Sequence, residues 1–276
     1  RVLFRSDTTR GMSIDAQTVQ ALADALRTAE ATREPIAALT AERPDLTVAD
    51  AYAIQQLNTA HKLAAGRRIV GRKVGLTSLA MQEQLGVDQP DYGAITDDMV
   101  VHAPATVNIS TLISSRVEGE FAFRMGRDVP AGSYTVEQLR EIVDEVYVSM
   151  EIIDSRIANW KIKLADTIAD NASSARLVVG VGAVATPELL DALPETVLTL
   201  ERNGEAVASG AGREVLGDPI RGALWVVNRL GELGEDLAAG EIILAGAVHA
   251  SVPLESGMTW SVSAPGFSPA SITTAH

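Results

Sequence analysis

RVEGEFAF, residues 116–123, sets two glutamates one residue apart and runs on into Phe-Ala-Phe. Read as a strand, it sends Val117, Gly119, Phe121 and Phe123 to one side and Glu118, Glu120 and Ala122 to the other, with Arg116 and Arg124 flanking the acidic side. Two meanings fit this alternation. Either the carboxylate face is solvated and the arginines relieve its repulsion, or the carboxylates converge on a hard divalent cation, which takes oxygen ligands and tolerates negative neighbours. What decides is whether another segment supplies an equally misplaced carboxylate.

VYVSMEII (146–153) supplies one. Glu151 stands in an otherwise apolar strand, where a carboxylate is costly unless it touches water, pairs with a cation such as Arg156, or binds a metal. Glu118, Glu120 and Glu151 are together the kind of set that holds Mg²⁺ or Mn²⁺ with open water positions. An ordinary ion pair satisfies the spacing equally well.

Composition narrows the function classes. The 276 residues are 46% hydrophobic, enough for a substantial core. A formal net charge of −13 argues against nucleic acid or an anionic membrane surface as partner, and the absence of cysteine excludes disulfides and thiolate zinc. An anionic substrate would then need local positive charge from a metal or a few placed Lys and Arg. No run of eighteen apolar residues occurs, so a cytoplasmic enzyme is expected. His61, His102, His249 and His276 lack HExxH spacing, and GxSxG, Walker A and GxGxxG motifs are missing. Zinc-hydrolase, serine-hydrolase, NTPase and dinucleotide-oxidoreductase readings lose ground together.

Along the chain, residues 1–12 are set aside as a non-native or disordered lead. Ser13 is the expected cap of a helix reaching about Glu30, and Thr47 with Asp50 opens a second helix that Gly66 stops. These make a helical N-terminal lobe over 13–68. From 69 to 272 short apolar runs punctuated by glycine predict a β-rich catalytic domain. Helical inserts are expected over Val136–Glu145, with Thr135 and Gln138 as a capping box, and over Pro219–Leu230, capped by Asp218. Asn203-Gly204 predicts a hairpin, and LVVGVG (177–182) and EIILAG (241–246) further strands. The fold class is α+β.

Other polar residues break the pattern. Lys73 lies between glycines in GRKVGLTS (71–78), Asp88 and Asp91 occupy the turn-rich LGVDQPDYG (85–93), and DTIADNASS (166–174) is denser in polar groups than a connection needs.

Taken together, GRKVGLTSLAMQEQLGVDQPDYGAITDDM (71–99), RVEGEFAFRMGRDV (116–129) and MEIIDSRIANWKIKLADTIADNASSARLVVG (150–180) resemble the fumarylacetoacetate hydrolase superfamily, in its 2-keto-4-pentenoate hydratase and 4-oxalocrotonate decarboxylase branch. The resemblance spans about residues 13–270. It implies a mixed β-roll core and a Mg²⁺ or Mn²⁺ ion held by Glu118, Glu120 and Glu151. It further implies Lys73 and Asp91 as the proton-handling residues, and Leu76, Asp166, Asn171, Ser173 and Gly246 as substrate-binding candidates. The implied reaction adds water to a small anionic 2-hydroxy-2,4-dienoate. Alternatives are 2-oxo-3-hexenedioate decarboxylation, hydration of the diacid 2-oxohept-4-ene-1,7-dioate, or an inactive structural subunit. A homo-oligomer is expected, associated with an aldolase or decarboxylase of the same pathway. Two departures stand out: Ser115 replaces a usual proline, and Ala245 and Ala247 flank Gly246 where a hydroxyl residue usually follows the glycine.

Overall fold

The computed structural model describes residue 11, residues 13–77, residue 82 and residues 89–276. The reading of residues 1–10 and 12 as a lead, and of Asp88 as a turn residue, lies outside the described residues.

The N-terminal segment forms helices Ala16–Thr32 and Val48–Ala64. The first is capped by Asp15, which accepts from Thr18 N–H, and not by the expected Ser13. Ser13 is drawn away because its backbone N–H and hydroxyl both donate to Asp50, at 3.0 and 2.9 Å. Asp50 closes the Thr47 capping box as expected, is fully buried, and also accepts from Ile14 N–H. One carboxylate thus ties the entrances of both helices together.

The strands, in chain order, are β1 (Ile69–Gly75), β2 (Asp91–Thr96), β3 (Val100–His102), β4 (Ala105–Asn108), β5 (Arg116–Met125), β6 (Val143–Ile153) and β7 (Ser174–Val179). There follow β8 (Ala183–Val184), β9 (Val197–Arg202), β10 (Glu205–Ala211), β11 (Ile242–Ala247), β12 (Val252–Pro253), β13 (Thr259–Ser263) and β14 (Ala270–Ala275). A mixed nine-stranded sheet runs β2-β1-β11-β5-β6-β7-β3, with β12 on β5 and β8 on β6. A second sheet runs β10-β9-β13-β14-β4. The α+β expectation holds, and Asn203-Gly204 makes the β9–β10 hairpin with both residues at positive φ.

The expected helix Val136–Glu145 ends at Ile142, because Val143 onward joins β6. Pairing with β5 wins there: Met125 faces Val143, and Arg124 binds Asp144 and Glu145, each at 2.9 Å. A six-residue helix, Leu164–Ala169, runs into the start of the polar segment DTIADNASS.

The solvated-face reading of β5 fails. Glu120 is 1% exposed, while Phe121 and Phe123 on the opposite face are fully buried, so the strand is covered on both sides. Gly119 is where the second sheet comes close: a Cβ there would stand 2.8 Å from His249 Nε2 and 3.4 Å from Val262 on β13. One continuous core runs from Ile14 to Ile272 and includes both N-terminal helices.

Candidate active site

The β5–β6 pairing builds the centre of the site. Glu118 lies directly opposite Glu151, and Glu120, two residues on, shares its face. One carboxylate oxygen from each of the three lies within 4.8 Å of the other two. Lys73 arrives from β1, three strand spacings from β6 in the sheet order. A flat sheet would separate these strands by about 14 Å, yet Lys73 Nζ stands 3.1 Å from Glu151 Oε2. The sheet therefore curls around the pocket.

Gly246 comes from β11, whose register slips between Leu244 and Ala247. With φ at 112°, it points its backbone N–H at Glu120 Oε2, 2.9 Å away. This turn acts through its backbone, so the alanines beside it lose nothing that the contact needs.

Asp91 opens β2 opposite Gly75 and is 1% exposed. A Cβ on Gly75 would overlap the Asp91 carboxylate, so the glycine makes room for it. Neither oxygen of Asp91 or Glu151 has a hydrogen-bond partner among the described residues; the Lys73–Glu151 contact is an ion pair without hydrogen-bond alignment. Bare buried carboxylate oxygens are expensive. Three convergent carboxylates with unclaimed oxygens fit a hard divalent cation.

The electrostatics agree with that fit. Burial pushes the Glu118 carboxyl up to about 7, and burial with the neighbouring Glu151 charge pushes Glu120 well above the ordinary range. Burial also raises Asp91 against the pull of Lys73. For Lys73, burial disfavours the ammonium, but Glu151, Asp91, Glu118 and Glu120 outweigh it and raise its pKa.

Lys73, Asp91, Glu118 and Glu120 open on a cavity of about 510 Å³, with Glu151 buried behind them. Of the substrate-binding candidates, Leu76 and Ser173 lie on its wall. Asp166 and Asn171 do not. Asp166 accepts from Thr40 N–H, Thr40 Oγ1 and Lys163 N–H, and Asn171 pairs with the backbone of Ala94, so both side chains are consumed inside the protein.

Wall residues missed from sequence include Arg116, His249, Trp160 and Thr167. Arg116, read as a neutralising flank, donates to Ser251 Oγ and Ser251 O at 2.7 and 2.6 Å, and its charge still pulls the Glu118 pKa down. His249 Nε2 accepts from Gly119 N–H at 3.2 Å, which leaves the proton on Nδ1, facing Ala250 O; burial pushes its pKa down. No sequence signal marked His249, because its partners are backbone groups. Arg156, considered for Glu151, pairs with Asp170.

No family model matches the chain. It is 45% identical over 224 residues to a 2-keto-4-pentenoate hydratase of Paraburkholderia xenovorans (strain LB400), covering 81% of this chain and 82% of that one. It is 43% identical over 250 residues to 2-keto-4-pentenoate hydratase 2 of Dechloromonas aromatica (strain RCB), covering 90% and 94%. Among solved structures, 4-oxalocrotonate decarboxylase from Pseudomonas putida G7, complexed with magnesium and adipate, superposes with a TM-score of 0.90 at 34% identity, covering 95% of this chain and 99% of that one.

Proposed function

The chain belongs to the 2-keto-4-pentenoate hydratase family, in the hydratase and decarboxylase branch of the fumarylacetoacetate hydrolase superfamily, and on that premise we propose how its pocket works. The enzyme is a metal-dependent hydro-lyase that adds water to a 2-hydroxy-2,4-dienoate to give a 4-hydroxy-2-oxoalkanoate. The observation that carries the site assignment is the convergence of Glu118, Glu120 and the fully buried Glu151 beside Lys73, with Glu118, Glu120, Lys73 and Asp91 on the wall of one cavity.

Glu118, Glu120 and Glu151 hold the Mg²⁺ or Mn²⁺. When bound, the cation supplies Lewis-acid stabilisation of charge on the substrate's carboxylate and 2-oxygen. Lys73 presents a fixed positive charge to the same end of the substrate. Asp91, buried and without a fixed partner, relays protons. The 2-hydroxyl proton leaves and the far end of the diene is protonated, giving a conjugated 2-oxo-3-enoate. Water then places its oxygen on C4 and a proton on C3. Leu76, Ser173 and the backbone around Gly246 shape the space for the substrate.

The 34% identity to a decarboxylase of nearly the same shape defines the second reading, loss of CO₂ from 2-oxo-3-hexenedioate. A substrate panel with Mg²⁺ or Mn²⁺, followed by absorbance and product mass, separates the two. Loss of the dienoate absorbance with a gain of one water is expected; CO₂ release from the hexenedioate without hydration would replace the proposal. Among the described residues no helix is long and apolar enough to cross a membrane, and the cytoplasm and a homo-oligomeric assembly remain the expected setting.

A further inference from the structure

Between helix Leu164–Ala169 and β7 the backbone takes three consecutive left-handed residues, none of them glycine: Asn171, Ala172 and Ser173, with φ of 57°, 51° and 55°. L residues avoid this region, and a run of three persists only where its surroundings impose it. Here the restraints come from several sides. The Asn171 side chain accepts from Ala94 N–H at 2.8 Å and donates to Ala94 O at 2.9 Å, standing in for a peptide group beside β2. Gly93 admits this approach, since a Cβ there would lie 2.5 Å from Asn171 O. Behind the triplet, Asp170 is buried and receives Arg156 Nε, Arg156 N–H and Ser155 Oγ. Ser173 donates its N–H to Asp170 O and accepts from Asp154 N–H.

The triplet delivers one backbone group to the ammonium in the pocket: Ala172 O accepts from Lys73 Nζ at 3.1 Å. With Glu151 ion-paired on another side, two contacts fix where the ammonium stands, and Ala172 O takes one of its three N–H groups. We propose that Asn171 is a positioning residue, backed by the Arg156–Asp170 pair, whose job is to hold the Ala172 carbonyl and through it the Lys73 ammonium. This rests on the use of Lys73 in hydration proposed above.

Asn171→Gly tests it, because glycine tolerates positive φ while both bonds to Ala94 are lost. Expected are retained Mn²⁺ affinity, a kcat lowered about tenfold and a KM changed less than about threefold. In a Lys73→Ala background the same substitution should cost no further kcat; independent, additive losses would overturn the proposal. A second readout needs no turnover. The chain has four lysines, so ¹⁵N-lysine NMR, with Lys73 assigned by its absence in Lys73→Ala, follows that ammonium alone. Its proton exchange should quicken about tenfold or more in Asn171→Gly; unchanged exchange would also overturn the proposal. Should Asn171→Gly not fold, Ala172→Gly, which frees the same carbonyl while relieving backbone constraint, should quicken exchange in the same direction. If the wild type hydrates no dienoate, the hydratase reading fails, and the exchange measurement still decides on Asn171.

Discussion

Glu118 shows how one residue can read as surface decoration and yet belong to a pocket. Its neighbours in sequence supplied arginines to neutralise it, but Arg116 donates to Ser251 and Arg124 pairs with Asp144 and Glu145. Near it stand Glu120, Glu151 and Lys73, and burial raises its pKa against the pull of Lys73 and Arg116. Glu118→Gln should therefore keep the fold, since the amide has the same shape and removes a repulsion, while Mn²⁺ affinity falls at least about tenfold and hydration about a hundredfold. Retained metal-dependent turnover in that variant would remove the carboxylate from the metal centre. The three glutamates drew notice because charged groups in strand-like runs demand explanation, whereas Lys73 and Asp91 were assigned to the centre only through the family resemblance. Asn171 and Asp166 were misleading for the opposite reason. In a polar segment nothing in sequence tells whether an amide or carboxylate faces a ligand or a backbone, and both turned inward.

At the scale of elements, the site is an outcome of register. The β5–β6 pairing alone places three carboxylates on one face, and a slip by one residue would turn Glu118 and Glu120 away together. The β1–β2 pairing sets the opposite wall by matching Gly75 with Asp91. Gly75→Ala should push the Asp91 carboxylate out of place and lower kcat about ten- to a hundredfold, while circular dichroism and Mn²⁺ binding stay as in the wild type. Full activity would show that Asp91 has slack. Hairpins and capping boxes were readable because their signals are local. The β11 irregularity that aims Gly246, and the early end of the helix at Ile142, were not, because pairing with β5 decides both.

For the whole molecule, two conditions should govern stability. Burial alone would raise the Asp50 pKa, but hydrogen bonds from Thr47, Ser13 and Ile14 outweigh it and hold the carboxyl below its ordinary 3.8. A depressed folded-state pKa contributes stability in full above the unfolded value and loses it as pH falls through the folded one. Asp50→Asn should thus cost about 1–3 kcal/mol at pH 7, and the gap to wild type should narrow as denaturation is repeated from pH 4 downward. A gap independent of pH would mean the charge is idle. Chelation is the second condition. Mg²⁺ or Mn²⁺ at a hundred times its dissociation constant stabilises by about 2.7 kcal/mol, or roughly 5–10 °C in melting temperature for a chain near this size; chelator should reverse both this gain and hydration, and a melting curve blind to metal would count against the carboxylate site. The sheet's curl was legible only through the resemblance, which implied a β-roll, and not from the strand patterns themselves, since it joins Lys73 to Glu151 across strands distant in sequence. Because the three carboxylates depend on one hairpin-like pairing while Lys73, Asp91 and the remaining wall come from β1, β2 and the segments after β6 and β11, the two halves are free to diverge separately. A lineage can inherit the metal-binding half intact and change what is done to the substrate by altering the other, which makes the pocket a chassis with exchangeable chemistry.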